Sequence, residues 1–123
     1  MKPFFFIACT MLCAFCYGQT VNIPDKNFER ILVELGIDTD KEVNGVVLRS
    51  DVQTVSFLDL YNKKIKSLKG IEAFVSLTYL DCRNNYLSHL DLSKNIALNT
   101  LYSDVNNTEH HRYNNDNENW FDY

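Results

Sequence analysis

A chain of 123 residues, 46% of them hydrophobic, with a formal net charge of −4, has room for a single domain. The acidic balance offers no basic patch for nucleic acid and no polybasic segment for an anionic membrane. Four cysteines in so short a chain would allow two disulfides, provided that all four belong to the folded protein.

The N-terminus decides that question. Met1-Lys2 is a short positive start, and Pro3 to Cys16 is an apolar run of 14 residues. That run is too short to cross a hydrocarbon core of about 30 Å as a helix. Cys16-Tyr17-Gly18 has small residues at the two positions that a signal peptidase reads, so residues 1–18 are expected to be a signal peptide cleaved before Gln19. An uncleaved membrane anchor is the competing reading. Cleavage removes Lys2, which takes the formal charge from −4 to −5, and removes Cys9, Cys13 and Cys16. Cys82 then stands alone, with no intramolecular disulfide open to it, and reads as a buried small hydrophobe.

Residues 19–54 read as an N-terminal cap and connecting loop. After a short extended lead, Pro24-Asp25 opens a helix, with Asp25 able to accept from its free backbone N–H groups. Phe28, Ile31, Leu32 and Leu35 form one apolar stripe, and Gly36 ends the helix. A helix with one apolar stripe just before a repeat array is expected to cover its open end. Gly45 marks a turn, and Ser50 to Val52 has the length of a short helical turn.

Residues 55–107 repeat themselves. The series Val55, Leu58, Leu60, Ile65, Leu68 recurs as Leu77, Leu80, Cys82, Leu87, Leu90, and a third copy opens as Leu98, Leu101, Ser103. A period of 21 to 22 residues with this leucine spacing is the signature of a leucine-rich repeat. The expected fold is an α/β leucine-rich repeat solenoid: a helical cap and about two and a half repeats. Its short parallel strands fall near Phe57–Tyr61, Tyr79–Arg83 and Thr100–Asp104. Alternation on a strand sends Leu58, Leu60, Leu80 and Cys82 inward. Asn85 and Asn106 stand where an inward amide satisfies the turn after the strand, and Lys63 holds that place in the first copy. Ile71, Phe74 and Leu77 carry the apolar rhythm along the outer side. The pattern stops at Thr108, and residues 108–123 are expected to be a flexible or weakly ordered tail, polar and Asn-rich. Trp120, Phe121 and Tyr123 at its end offer an improvised cover for the last repeat.

With the repeats laid out, the chain resembles the secreted leucine-rich repeat proteins of Bacteroidetes, whose repeats are close to the internalin type. The resemblance runs from residue 1 to about 107. It rests on Val21-Asn22-Ile23-Pro24-Asp25-Lys26-Asn27-Phe28, Val43-Asn44-Gly45-Val46-Val47-Leu48, Gly70-Ile71-Glu72-Ala73-Phe74, Leu77-Thr78-Tyr79-Leu80-Asp81-Cys82-Arg83-Asn84-Asn85 and Leu90-Asp91-Leu92-Ser93-Lys94-Asn95. It implies an exported protein, periplasmic, at the cell surface or extracellular, that acts without catalysis. Members of that group carry many more repeats and often a C-terminal sorting domain. The departure after Asn107 implies a short member, truncated or frame-shifted.

Three groups of residues are candidates for function. Stacking the strands gives outward columns Phe57–Tyr79–Thr100, Asp59–Asp81–Tyr102 and Tyr61–Arg83–Asp104. Aromatics interleaved with carboxylates and one arginine suit recognition of a protein or glycan, while packing across strands alone also accounts for them. Asp59 beside Asp81 is a like-charge pair that a cation or a partner has to answer. Asp40 to Asp51 reads as a degenerate calcium loop, with Asp40, Glu42, Asn44 and Asp51 as oxygen donors and Gly45 at its turn. An ordinary acidic turn is the alternative, and no other cofactor is implied. His110-His111 and the sequon Asn106-Asn107-Thr108 carry no expected role. No nucleophile with a base, phosphate-binding glycine loop or metal pair of useful spacing is present, so an enzyme is not expected. The leading reading is a binding module using the strand face. The runner-up is a fragment of a longer repeat protein with no independent function.

Overall fold

The computed structural model describes residues 19–105 and the backbone of residues 108–110. The expected signal peptide, Asn106 and the segment from residue 111 onward lie outside the described residues.

The extended lead is β1 (Thr20–Asn22), and it pairs antiparallel with β2 (Val46–Leu48), Val21 opposite Val47. Between them runs helix α1 (Lys26–Glu34). Asp25 caps it as expected: its Oδ1 accepts from the N–H groups of Asn27 and Phe28 at 2.9 and 3.0 Å. Its second oxygen reaches 41 and 42 residues along the chain to accept from Lys66 N–H at 2.8 Å and Ser67 N–H at 3.0 Å. One carboxylate therefore fixes both the helix start and the turn of the first repeat. The stripe is buried at Phe28, Ile31 and Leu32, and Phe28 stacks on Phe74 with ring centroids 6.0 Å apart.

Leu35 departs from the expected stripe and is 54% exposed. The helix ends at Glu34, so Leu35 is the C-cap and its side chain projects beyond the packed face. Glu29 takes a place in the core instead. It is fully buried, and its two oxygens accept from Asn44 N–H at 2.9 Å and Gly45 N–H at 2.8 Å. These bonds compensate the burial of a carboxylate by giving each oxygen a donor.

A short helix α2 (Arg49–Val52) leads into the repeats. Strands β3 (Phe57–Asp59), β4 (Tyr79–Asp81) and β6 (Thr100–Tyr102) form a parallel sheet in that order, with Phe57 beside Tyr79 and Tyr79 beside Thr100. The register follows the sequence repeat. Leu58, Leu60, Leu80 and Cys82 are fully buried, whereas Leu101 and Ser103 in the third copy are half-buried. The outer side carries a 3-10 turn, Ile71–Ala73, followed by the buried Phe74 and Leu77.

Three strands were not legible from the pattern: β2, which reads only as part of the connecting loop, and two more. β5 (Leu90–Leu92) pairs in parallel with β7 (Thr108–His110), so the first three residues of the expected tail form a strand. β5 begins at the last leucine of the second copy, a position that the leucine spacing marks as buried without saying whether it is strand.

Asn85 closes the turn after β3. Its Oδ1 accepts from Lys63 N–H and Ile65 N–H at 3.0 Å each, and its Nδ2 donates to the carbonyls of Leu60 and Cys82 at 2.7 and 3.1 Å. Asn95, fully buried, serves the outer side as a donor only, to the carbonyls of Ile71 at 2.8 Å and Phe74 at 3.1 Å.

Candidate functional site

The strand face carries the aromatic residues that alternation places outward. Phe57 and Tyr79 stack with centroids 4.3 Å apart and planes 12° from parallel, and Tyr102 continues the row at 5.8 Å from Tyr79, tilted by 56°. Pairs of this kind each contribute about 0.5–1.5 kcal/mol beyond area burial, so the row is a stiff surface. Phe57 stays 60% exposed and Tyr61 48% exposed. Burial, with Asp81 and Asp59 nearby, pushes the Tyr79 phenol above its ordinary range, which keeps it neutral.

Asp81 departs from the outward expectation. It lies on the central strand and is buried at 5% exposure, because Arg83 folds back over it. The guanidinium grips it twice, Nε to Oδ1 at 3.1 Å and Nη2 to Oδ2 at 2.7 Å. The Arg83 carbon then sits 4.8 Å from the Tyr102 ring centre and 5.6 Å from that of Tyr61. The like-charge problem at Asp59 and Asp81 is thus answered within the chain, by a planar cation that one carboxylate and two rings orient. The carboxylate also raises the Arg83 pKa further above its ordinary value.

Two other acids border the row. Asp59 accepts from Tyr61 N–H at 3.0 Å, and Asp104 accepts from Asn84 N–H at 2.9 Å. The ion pair found among the described residues is Arg83–Asp81, so neither of these exposed carboxylates is neutralised there. Thr100 completes its column half-buried beside Tyr79. Cys82, beneath the face, has its pKa pushed up to about 11 by burial, which makes it an inert thiol at neutral pH.

Of the expected oxygen donors of the 40–51 loop, Asp40 and Asn44 meet, whereas Asp51 bonds to Thr39. Asp40 accepts from Glu42 N–H and from the Asn44 side-chain amide, both at 2.8 Å. The Asn44 side-chain oxygen accepts from Val46 N–H at 3.2 Å. Asp51 accepts from Thr39, from its N–H at 3.0 Å and its hydroxyl at 2.8 Å. Among the described residues no group of three or more His, Cys, Asp or Glu side chains is placed to hold a metal ion.

Just before this loop lies a carboxyl that the sequence did not single out. Asp38 is buried, and its pKa is pushed up to about 6, first by burial and then by the neighbouring Asp40 and the charge of Glu29. The folded chain holds this proton more tightly than the unfolded chain, where the ordinary value is 3.8. Its contribution to stability is therefore present at low pH and lost as pH rises through about 6. The Asp38→Asn variant should gain up to about 3 kcal/mol on the wild type between pH 4 and pH 8. Urea unfolding at both pH values measures it, and a difference that does not change with pH contradicts the assignment.

No family model matches this chain. Internalin J of Listeria monocytogenes is 32% identical over 82 residues, which are 63% of this chain and 9% of that protein. The chain thus spans about a tenth of the length of the curated relative that it matches. Among solved structures, the functional domain of InlJ from Listeria monocytogenes, described as including a cysteine ladder, superposes with a TM-score of 0.57 at 26% identity. It covers 79% of this chain and 21% of that one. The CBM51-2 and INT domains of Clostridium perfringens ZmpB give 0.53 at 30% identity over 67% of this chain and 17% of that one. The internalin InlF of Listeria monocytogenes gives 0.50 at 26% identity over 73% and 26%. In this chain Leu60 and Ser103 hold the positions that repeat Cys82, so no cysteine ladder is built there. Among the described residues no helix is long and apolar enough to cross a membrane. In sequence and in fold the chain is similar to internalin-like leucine-rich repeat proteins.

Proposed function

We propose that this chain is a non-catalytic interaction module, exported from the cell, that binds a protein partner through the face of β3, β4 and β6. The observation that carries the reading is the pre-stacked row Phe57–Tyr79–Tyr102, with Arg83 fixed beside it by Asp81. Rigid aromatic and arginine side chains lose little entropy on binding and dominate the energetics of interfaces. Similarity to the internalins supports a module of the interaction kind. Export and a source in Bacteroidetes rest on the N-terminal and repeat segments quoted above. The compartment is accordingly periplasmic, cell-surface or extracellular.

The test is a screen of the full chain against an array of purified extracellular proteins and, in parallel, a glycan array. Tyr102→Ala and Tyr79→Ala should each weaken binding to a protein hit by tenfold or more, about 1.4 kcal/mol, while circular dichroism stays unchanged. Protein hits that tolerate both substitutions, or hits confined to glycans, overturn the reading.

A further inference from the structure

Beside the strand face, at the junction of cap and first repeat, lies an open groove of about 360 Å³ lined by Leu35, Ile37, Val55, Ser56, Phe57 and Asp59. Single exposed apolar side chains are ordinary on a protein surface. Here Leu35 at 54% and Phe57 at 60% exposure share one concavity, and its volume is at the low end for binding clefts. The groove runs directly into the aromatic row, because Phe57 belongs to both. Asp59 is one of its lining residues, and the strand-face arginine is already held by Asp81. Asp59 is thus an exposed carboxylate without a cation among the described residues, on a chain of net charge −4.

We propose that this groove receives the apolar side chain of an extended partner segment whose adjacent lysine or arginine pairs with Asp59. The inference rests on the strand-face reading and adds the chemistry of the partner, an aliphatic or aromatic residue next to a cation. The apolar anchor supplies contact area, and the ion pair fixes the direction of the segment, because a carboxylate at the same place is repelled by Asp59.

The probe is the capped tetrapeptide Gly-Leu-Arg-Gly, titrated at millimolar concentration into the isotope-labelled full chain while backbone amide shifts are followed by NMR. Saturable shifts are expected at residues 35–37 and 55–59. The peptides Gly-Leu-Glu-Gly and Gly-Ser-Arg-Gly should bind at least fivefold more weakly. Asp59→Asn should abolish the preference for arginine over glutamate, and Leu35→Ser should abolish the preference for leucine over serine. Both side chains are exposed, so neither change threatens the fold. Absence of localised shifts, equal binding of the glutamate peptide, or shifts at these residues on dilution of the protein alone, which mark a second copy in the groove, each overturn the proposal. Tyr102→Ala should leave the tetrapeptide bound while weakening a whole protein partner, so failure here is distinguishable from failure of the strand-face reading.

Discussion

Replacing Gly70 by alanine should lower stability by about 3 kcal/mol or more, a loss on the scale of a small domain's whole margin. Gly70 opens the outer turn of the first repeat at φ 104°, a conformation that an L side chain adopts only under strain. Its environment adds a second penalty. A Cβ there would overlap Ile23 Cδ1 and lie 2.7 Å from the backbone oxygen of Asn22, the last residue of β1. Ile23 is fully buried, and the backbone oxygen cannot rotate away, so the cap would be pushed off the repeat. Gly36→Ala is the control. Gly36 also has a positive φ, 72°, but nothing lies within 4 Å of its added Cβ, so only the backbone strain of about 1 kcal/mol remains. Thermal unfolding of the two variants separates the effects: the Gly70→Ala midpoint should fall several times further. Equal shifts would mean that the cap does not press on the repeat as described.

Asn85→Ala should cost about 3 kcal/mol. The amide is both acceptor and donor: Oδ1 takes Lys63 and Ile65 N–H groups, and Nδ2 supplies the carbonyls of Leu60, Cys82 and Arg83. Alanine leaves these turn groups without a partner, and each partly buried orphan costs about 1 kcal/mol or more. Asn85→Asp keeps the acceptor but sets an anion against three carbonyls, so it should not rescue the loss. Hydrogen exchange locates the effect: amides of Lys63 and Ile65, in the preceding repeat, should exchange faster than those of Tyr79–Asp81. A loss confined to the second repeat would refute the cross-repeat bonding.

These two positions show what the sequence makes legible and what it does not. Asn85 could be read in advance, since Asn106 repeats it at the same place in the third copy and an amide is the side chain that matches both turn donors and turn acceptors. The strand registers, the Asp25 cap and the inward leucines were legible for the same reason: period and capping chemistry are local. Gly70 could be read only as one residue of a familiar segment, because its constraint comes from Asn22 and Ile23, far away in the chain. Glu29 was invisible, since a helical pattern treats an acid as a surface residue until the N–H groups of Asn44 and Gly45 arrive to meet it. Asp81 looked exposed by alternation, and its burial depends on where Arg83 lays its guanidinium. The groove at Leu35 and Phe57 joins residues from a helix end and a strand that no periodicity links.

Two asparagines of the second repeat spend their amides on the first: Asn85 on the turn at Leu60–Ile65, Asn95 on the carbonyls of Ile71 and Phe74. The stack therefore has a polarity, like roof tiles, each course fastened by the one laid after it. The first unit takes these bonds only from its successor, beside those that Asp25 already gives it from the cap. A copy of the asparagine-bearing unit inserted after the first would carry the fastener that its predecessor needs, whereas a copy of the first, with Lys63 and Ala73 at those places, would not.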